Sequence, residues 1–178
     1  PTDDSIYDAT SNETATVSID SVSGGDALEN GTQSVTITIT DNESAPTVTL
    51  SRSAAAIDEN SSSTVTITAT LSNATYQDVT VSIGASGGTE GTDYATISDI
   101  TISAGSTTGT ASLDPTDDSV YEDDETVTVT IDGVSGGNAS ESGSQSVTIT
   151  ITENESAPTV TLSVSATSIA ENAGTSLT

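Results

Sequence analysis

The sequence predicts an all-β protein built from antiparallel sandwiches repeated in tandem, and three observations lead there. Short stretches alternate apolar and polar residues with a period of two: Thr64–Thr70 reads TVTITAT, Thr126–Ile131 reads TVTVTI and Ser146–Thr152 reads SVTITIT. Such alternation of β-branched residues is what a half-buried strand requires. No segment carries a convincing helical period. The chain also repeats itself: from Glu13 onward it matches itself at an offset of 112 residues, so that Val35–Thr40 returns as Val147–Thr152 and Ala45–Ser51 as Ala157–Ser163. Roughly two-thirds of the aligned positions are identical, far above chance.

One complete unit is expected from Ala45 to Glu155, with seven strands. Strand A falls near 47–57, where TVTL alternates after a connector proline. B falls near 64–71 and C near 78–83, each with the same alternation. D falls near 95–102 and E near 108–114. F and G, near 125–132 and 145–152, are the two strongest β-branched runs. Clusters of Gly, Ser, Asn and Asp separate the strands at sandwich-like intervals. About 110 residues in seven strands fit an immunoglobulin-like sandwich. Residues 1–44 then supply strands F and G of a preceding unit, and residues 156–178 supply strand A and the start of B of a following one. On this reading the chain opens inside one repeat and closes inside another, as a piece of a longer polypeptide. Pro46 and Pro158 sit where a new unit begins and stiffen that entry.

Composition narrows the chemistry. The formal charge is −26, from 27 acids against one base, Arg52, with no Lys and no His. Such a surface repels nucleic acid and anionic lipid and attracts cations. There is no Cys, so disulfides, thiolate zinc and thiol catalysis are excluded; without His, so are Ser-His and Cys-His triads and most transition-metal sites. Carboxylate oxygens remain, and these suit hard cations such as calcium. No stretch approaches a membrane-spanning length and no signal peptide is visible.

The acids are not spread evenly. In a sandwich of alternating strands, the AB, CD and EF loops and the exit of G lie at one end. Of the seventeen acids of the complete unit, twelve fall there: Asp58 and Glu59 in AB, Glu90 and Asp93 in CD, Asp117, Asp118, Glu122, Asp123, Asp124 and Glu125 in or beside EF, and Glu153 and Glu155 after G. A uniform acidic coat does not explain that sorting. Carboxylates packed within about 4–6 Å raise one another's pKa and destabilise the fold unless a cation neutralises them. Calcium takes 6–8 oxygens, so this tip is expected to hold one ion or several. The chain also leaves for the next unit there, so calcium would lock the joint.

At this point the pattern resembles the Calx-β domain. The resemblance rests on Glu59 in IDEN, GTEGTDY at Gly88–Tyr94, the acid-rich run Asp117–Glu125, and ITENE at Ile151–Glu155. It implies a calcium-binding β-sandwich module of large extracellular proteins, about 112 residues per repeat. It implies a calcium site formed by Glu59, Asp93, Asp117, Asp118, Glu122, Glu125, Glu153 and Glu155 with the carbonyl of Val120. Carried onto the N-terminal fragment, it implies a partial site from Asp3, Asp4, Asp8, Asp41 and Glu43 with the carbonyl of Ile6. Strand G ends here in Glu153-Asn154-Glu155, where the family often has Asp, and two extra residues precede Glu13.

Other signals are weaker. Seven of eight Asn residues have Ser or Thr two positions on, a pattern that N-glycosylation or a Ser/Thr-rich composition both produce. Paired acids can hydrolyse glycosides, but aromatic residues for a sugar platform are missing, and no enzymatic role is expected. The expectation is a calcium-stabilised structural repeat of a cell-surface stalk, filament or adhesin, its partners being neighbouring repeats and, through self-assembly, further filament subunits. The alternatives are a ligand-binding adhesin segment and, further off, a calcium-sensing module. A unit completed between two chains by strand addition is a further possibility.

Overall fold

The computed structural model describes residues 2–8, 13–171, 174 and 176. Thirteen strands form: β1 (Ile6–Tyr7), β2 (Glu13–Ser18), β3 (Ser34–Ile39), β4 (Thr47–Arg52), β5 (Ala56–Asp58), β6 (Val65–Leu71), β7 (Ala74–Thr75), β8 (Val79–Ser86), β9 (Ile100–Ile102), β10 (Thr108–Leu113), β11 (Glu125–Ser135), β12 (Ser140–Glu141) and β13 (Ser146–Thr152). There is no helix among the described residues.

Nine of these build two facing sheets. One has the order β10-β6-β4-β12, the other β5-β13-β11-β8-β9. The alternation read from the sequence becomes the inside and outside of the sandwich. Along β6, Val65, Ile67, Ala69 and Leu71 are buried while Thr66, Thr68 and Thr70 are half-buried on the other face. Val48, Val79, Val81, Ile100, Ile102, Leu113, Val127, Val129, Ile149 and Ile151 complete the core, each essentially inaccessible to solvent. Strand-to-strand burial of β-branched residues carries this fold, since no large aromatic but Tyr94 enters the core.

The structure refines the expected strands in four places. Strand A divides: β4 pairs with β6 in the first sheet, and β5 crosses to pair in parallel with β13 in the second. Strand D contracts to β9: residues 95–99 carry no strand and follow a turn at Gly91–Asp93 and isolated bridges from Tyr94 to Glu90 and Pro115. β9 lies beside β8 rather than beside β10, so the sheets divide as E-B-A and A′-G-F-C-D. β11 runs on to Ser135 with a bulge between Ile131 and Gly133.

The flanking pieces differ from each other. Residues 13–39 form the hairpin β2–β3, paired in the same register as β11–β13, Glu13 opposite Ile39 as Glu125 is opposite Ile151. Residues 156–171 carry no strand, contrary to the strand A expected there. Strand A takes its ladder from B and G, and neither partner lies beside this segment; Val160 and Leu162 are almost wholly exposed. The start of strand B, expected after residue 171, lies almost entirely outside the described residues.

Candidate metal centre

The β5–β13 ladder places the first carboxylate. Thr152 pairs with Asp58, and Glu59 N–H donates to the Thr152 carbonyl at 3.0 Å, so Glu59 lies beside the exit of strand G. Glu59 is buried, with 8% of its surface exposed. The antiparallel β11–β13 pairing brings Glu125 opposite Ile151 and the EF loop over the same exit. Asp118 N–H then donates to Glu59 Oε1 at 3.2 Å, and Glu122 N–H donates to Glu153 Oε2. Asp124 Oδ1 accepts the Glu153 N–H at 3.0 Å, and Glu153 Oε1 accepts the Glu155 N–H at 2.7 Å. Three segments distant in sequence are tied together by backbone N–H groups reaching carboxylates.

The result is a cluster in which Glu59, Glu153 and Glu155 each offer a carboxylate oxygen, all within 4.8 Å of one another. Such proximity has an electrostatic cost, visible in the acidities. Burial, then the charges of Glu153, Asp118 and Asp117, hold Glu59 above the ordinary carboxylate value. Glu155 is pushed up to about 7, first by its side-chain hydrogen-bonding contact with Glu153, then by burial and by the charges of Glu153, Glu59 and Asp117. Glu153 moves the other way, to about 2, because the N–H groups of Glu155 and Glu122 stabilise its charge. Glu122 and Glu125 are both raised, first by burial and next by Asp93.

The structure therefore places the sequence-derived residues unevenly. Glu59, Glu153 and Glu155 converge. Asp117 lies close enough to act electrostatically on both Glu59 and Glu155, and Asp118 on Glu59. Asp93 acts on Glu122 and Glu125 from the CD turn, where its carboxylate accepts the Thr89 N–H. Val120 is drawn into a tight turn by its N–H bond to Asp118 Oδ1 at 2.6 Å. In the N-terminal unit Ile6 N–H donates to Asp4 Oδ1 at 2.9 Å, and Asp8 N–H donates to Asp41 Oδ2 at 3.1 Å. Glu43 is raised by its hydrogen bond to Asp41, then by burial and the charge of Asp41, with Asp3 also near. These acids border one cleft with Asp3, Ile6 and Tyr76.

Asp124, an EF acid outside the expected ligand set, braces the Glu153 backbone through its Oδ1, a bond that leaves no signal in the sequence. Tyr94 packs in the core at this tip, 2% exposed, whereas Tyr121 is 42% exposed.

The residues suit a hard divalent cation. The donors are all carboxylates, and Glu155 Oε2 is buried without a hydrogen-bond partner, the kind of orphaned oxygen that an ion satisfies.

The LapA domain matches residues 44–154, which span all nine strands of the sandwich and its acidic tip. The chain belongs to the LapA domain family. That family is adhesin-related, so this LapA domain is a β-rich repeat of adhesin-like type. Among solved structures, the chain is similar to the apo form of the Calx CBD1 domain, at 16% identity and a TM-score of 0.49, over 61% of this chain and 99% of that one. No curated protein matches it. No helix among the described residues is long and apolar enough to cross a membrane.

Proposed function

We propose that this LapA domain is a calcium-stabilised structural repeat of an extracellular, surface-associated adhesin or stalk, in which Ca²⁺ stiffens the joint between successive sandwiches. The observation that carries the proposal is the convergence of carboxylate oxygens of Glu59, Glu153 and Glu155 within 4.8 Å, directly at the exit of strand G. Glu59, Glu153 and Glu155 would hold the ion, with Asp117 and Asp118 close by. The ion supplies positive charge that cancels carboxylate repulsion; the chain supplies the geometry through N–H bonds that aim the carboxylates inward.

Because Glu59 belongs to the AB turn and Glu155 to the connector, one ion joining both would restrict the angle at which the connector leaves. Calcium binding the folded state would also stabilise it by mass action. The proposal assigns no catalytic step to these acids, and it takes the neighbouring repeats as the protein's partners. Millimolar affinity is the expectation for an extracellular module, submicromolar affinity that of a sensor. The test is thermal melting and small-angle scattering of the chain in calcium and in chelator. Calcium should raise the melting temperature and sharpen the extended scattering profile. Superimposable melts and profiles would refute it.

Adhesin-related membership also supports a second reading, in which the repeat itself contacts a surface ligand. A glycan array probed with the chain separates the two, since a purely structural spacer gives no specific signal.

A further inference from the structure

The two acidic poles of the chain are built alike, but one has a neighbour docked on it and the other does not. Val120 N–H bonds Asp118 Oδ1 as Ile6 N–H bonds Asp4 Oδ1, and Glu122 N–H bonds Glu153 as Asp8 N–H bonds Asp41. Those residues are equivalent across the repeat, so the two loops share their turn and its anchoring. In the N-terminal unit that loop is occupied. Ile6 and Tyr7 form a short parallel ladder with Ala74 and Thr75 of the complete unit. Tyr76 donates its hydroxyl to Asp4 Oδ2 at 3.0 Å, and Asn138 Nδ2 donates to the Tyr7 hydroxyl at 3.2 Å. Ile6 and Tyr7 are half-buried as a result. Their equivalents Val120 and Tyr121 are 59% and 42% exposed.

The connector repeats as well. Asn42–Ser51 and Asn154–Ser163 have the same ten residues, NESAPTVTLS. In the first connector the Ser44 carbonyl accepts from Asn73 Nδ2 at 2.8 Å, one residue before the docked turn. A unit entering through the second connector is therefore led toward the same seat, with Ser156 in the place of Ser44.

We propose that Val120–Tyr121 is a preformed docking edge for a further repeat, occupied by that repeat's Ala-Thr-Tyr turn, the segment equivalent to Ala74–Tyr76. The partner adds a two-residue parallel ladder to the backbone of Val120 and Tyr121, and its tyrosine hydroxyl donates to the Asp118 carboxylate. A turn with Ala and Thr at the ladder positions fits because Ala74 and Thr75 are themselves buried where they dock. The proposal rests on the stacked-repeat reading above, but the ladder and the tyrosine bond use no metal.

The test lengthens the full chain. Thr178 is equivalent to Thr66, so appending a copy of residues 67–178 continues the repeat in register. The protein has no cysteine, so introduced pairs report alone. Paired residues on adjacent strands lie within the Cα separation of about 4.4–6.8 Å that a disulfide spans. Ile6→Cys with Ala74→Cys is the reference pair. Val120→Cys with Ala74→Cys in the appended copy is the test pair, measured under mild oxidation in calcium and in chelator. Closure of the test pair at a rate comparable to the reference, slowed by Tyr76→Phe in the appended copy, is the expected result. A test pair that stays reduced overturns the docking edge, whether or not the reference closes. So does equal closure with a control cysteine at Ser106 of the appended copy. The calcium reading fails separately, on melts that ignore chelator.

Discussion

Replacing Glu59 by Gln separates the two things its carboxylate does. Glu59 is buried, accepts the Asp118 N–H, and faces the charges of Glu153, Asp118 and Asp117. In chelator the amide still offers an oxygen to Asp118 and removes one member of the repulsive cluster. The melting temperature there should stay level or rise. In calcium the order reverses. An ion present at a hundred times its Kd stabilises the folded state by about 2.7 kcal/mol. In a unit of about 110 residues, 1 kcal/mol moves the melting temperature by about 4 °C, so the parent chain should gain about 10 °C. If losing one of three converging carboxylates weakens binding tenfold, the same calcium gives Glu59→Gln about 1.4 kcal/mol, or about 5 °C. Differential scanning calorimetry in matched calcium and chelator buffers reads both arms, with titration calorimetry for Kd. A variant that keeps the full calcium gain, or that is less stable than the parent in chelator, refutes the argument that Glu59 is a ligand held against repulsion.

The pH response should have a defined sign. Glu155 rises from 4.5 unfolded to about 7 folded, so between those values the folded chain binds more protons and stability in chelator falls as pH rises; Glu155→Gln should flatten that slope. Glu153 works oppositely, its contribution present above 4.5 and lost as pH falls toward 2, so melts below pH 4 should weaken again. The calcium gain should grow between pH 5 and 8, because protons compete for the same oxygens. Gly87→Ala places a Cβ 2.1 Å from the Thr126 carbonyl oxygen at a φ of +82° and should cost about 3 kcal/mol or more in urea unfolding, whereas Gly91→Ala, at +85° in open space, should cost about 1–2 kcal/mol. Ile149→Ala, in the fully buried centre of β13, should cost about 2–5 kcal/mol by the same assay.

The strand alternation was legible because burial in a sandwich has the period of the backbone pleat. Every second residue of Val65–Leu71 had to point inward, and does. What the sequence could not convey was pairing between distant strands. Whether D lies beside C or E, and where strand A changes sheet, depends on sheet twist and on the shape of the Gly88–Tyr94 turn, neither of which leaves a periodic trace. The site divides in the same way. Its residue types and its pole followed from loop order alone, but the selection of Glu59, Glu153 and Glu155 from twelve acids depends on the parallel β5–β13 ladder, which brings the AB turn beside the G exit. The bond from Tyr76 to Asp4, across 72 residues, joins two units and had no signature in either.

The hydrogen bonding around Glu153 shows why a pole this acidic folds at all, and what a cation would change. Glu153 is held in its charged form because the N–H groups of Glu122 and Glu155 point at it, whereas Glu155, its Oε2 buried without a partner, is pushed toward its protonated form by the contact with Glu153 and by burial. A proton and a divalent ion are thus alternative answers to one electrostatic problem, but they act over different reach. A proton on Glu155 eases repulsion only within one connector, against Glu153, and leaves Glu59 with the Asp118 N–H alone to set against the neighbouring charges. An ion large enough for 6–8 oxygens would draw on all three carboxylates, and so would tie the connector to the AB turn of the sandwich it leaves. Exchange of proton for ion would convert a local contact into a bridge across the root of the joint. The proposed coupling of stiffness to calcium would follow from that difference in reach, and it should vanish in Glu59→Gln even where Glu153 and Glu155 still bind the ion, since the bridge then has no far support.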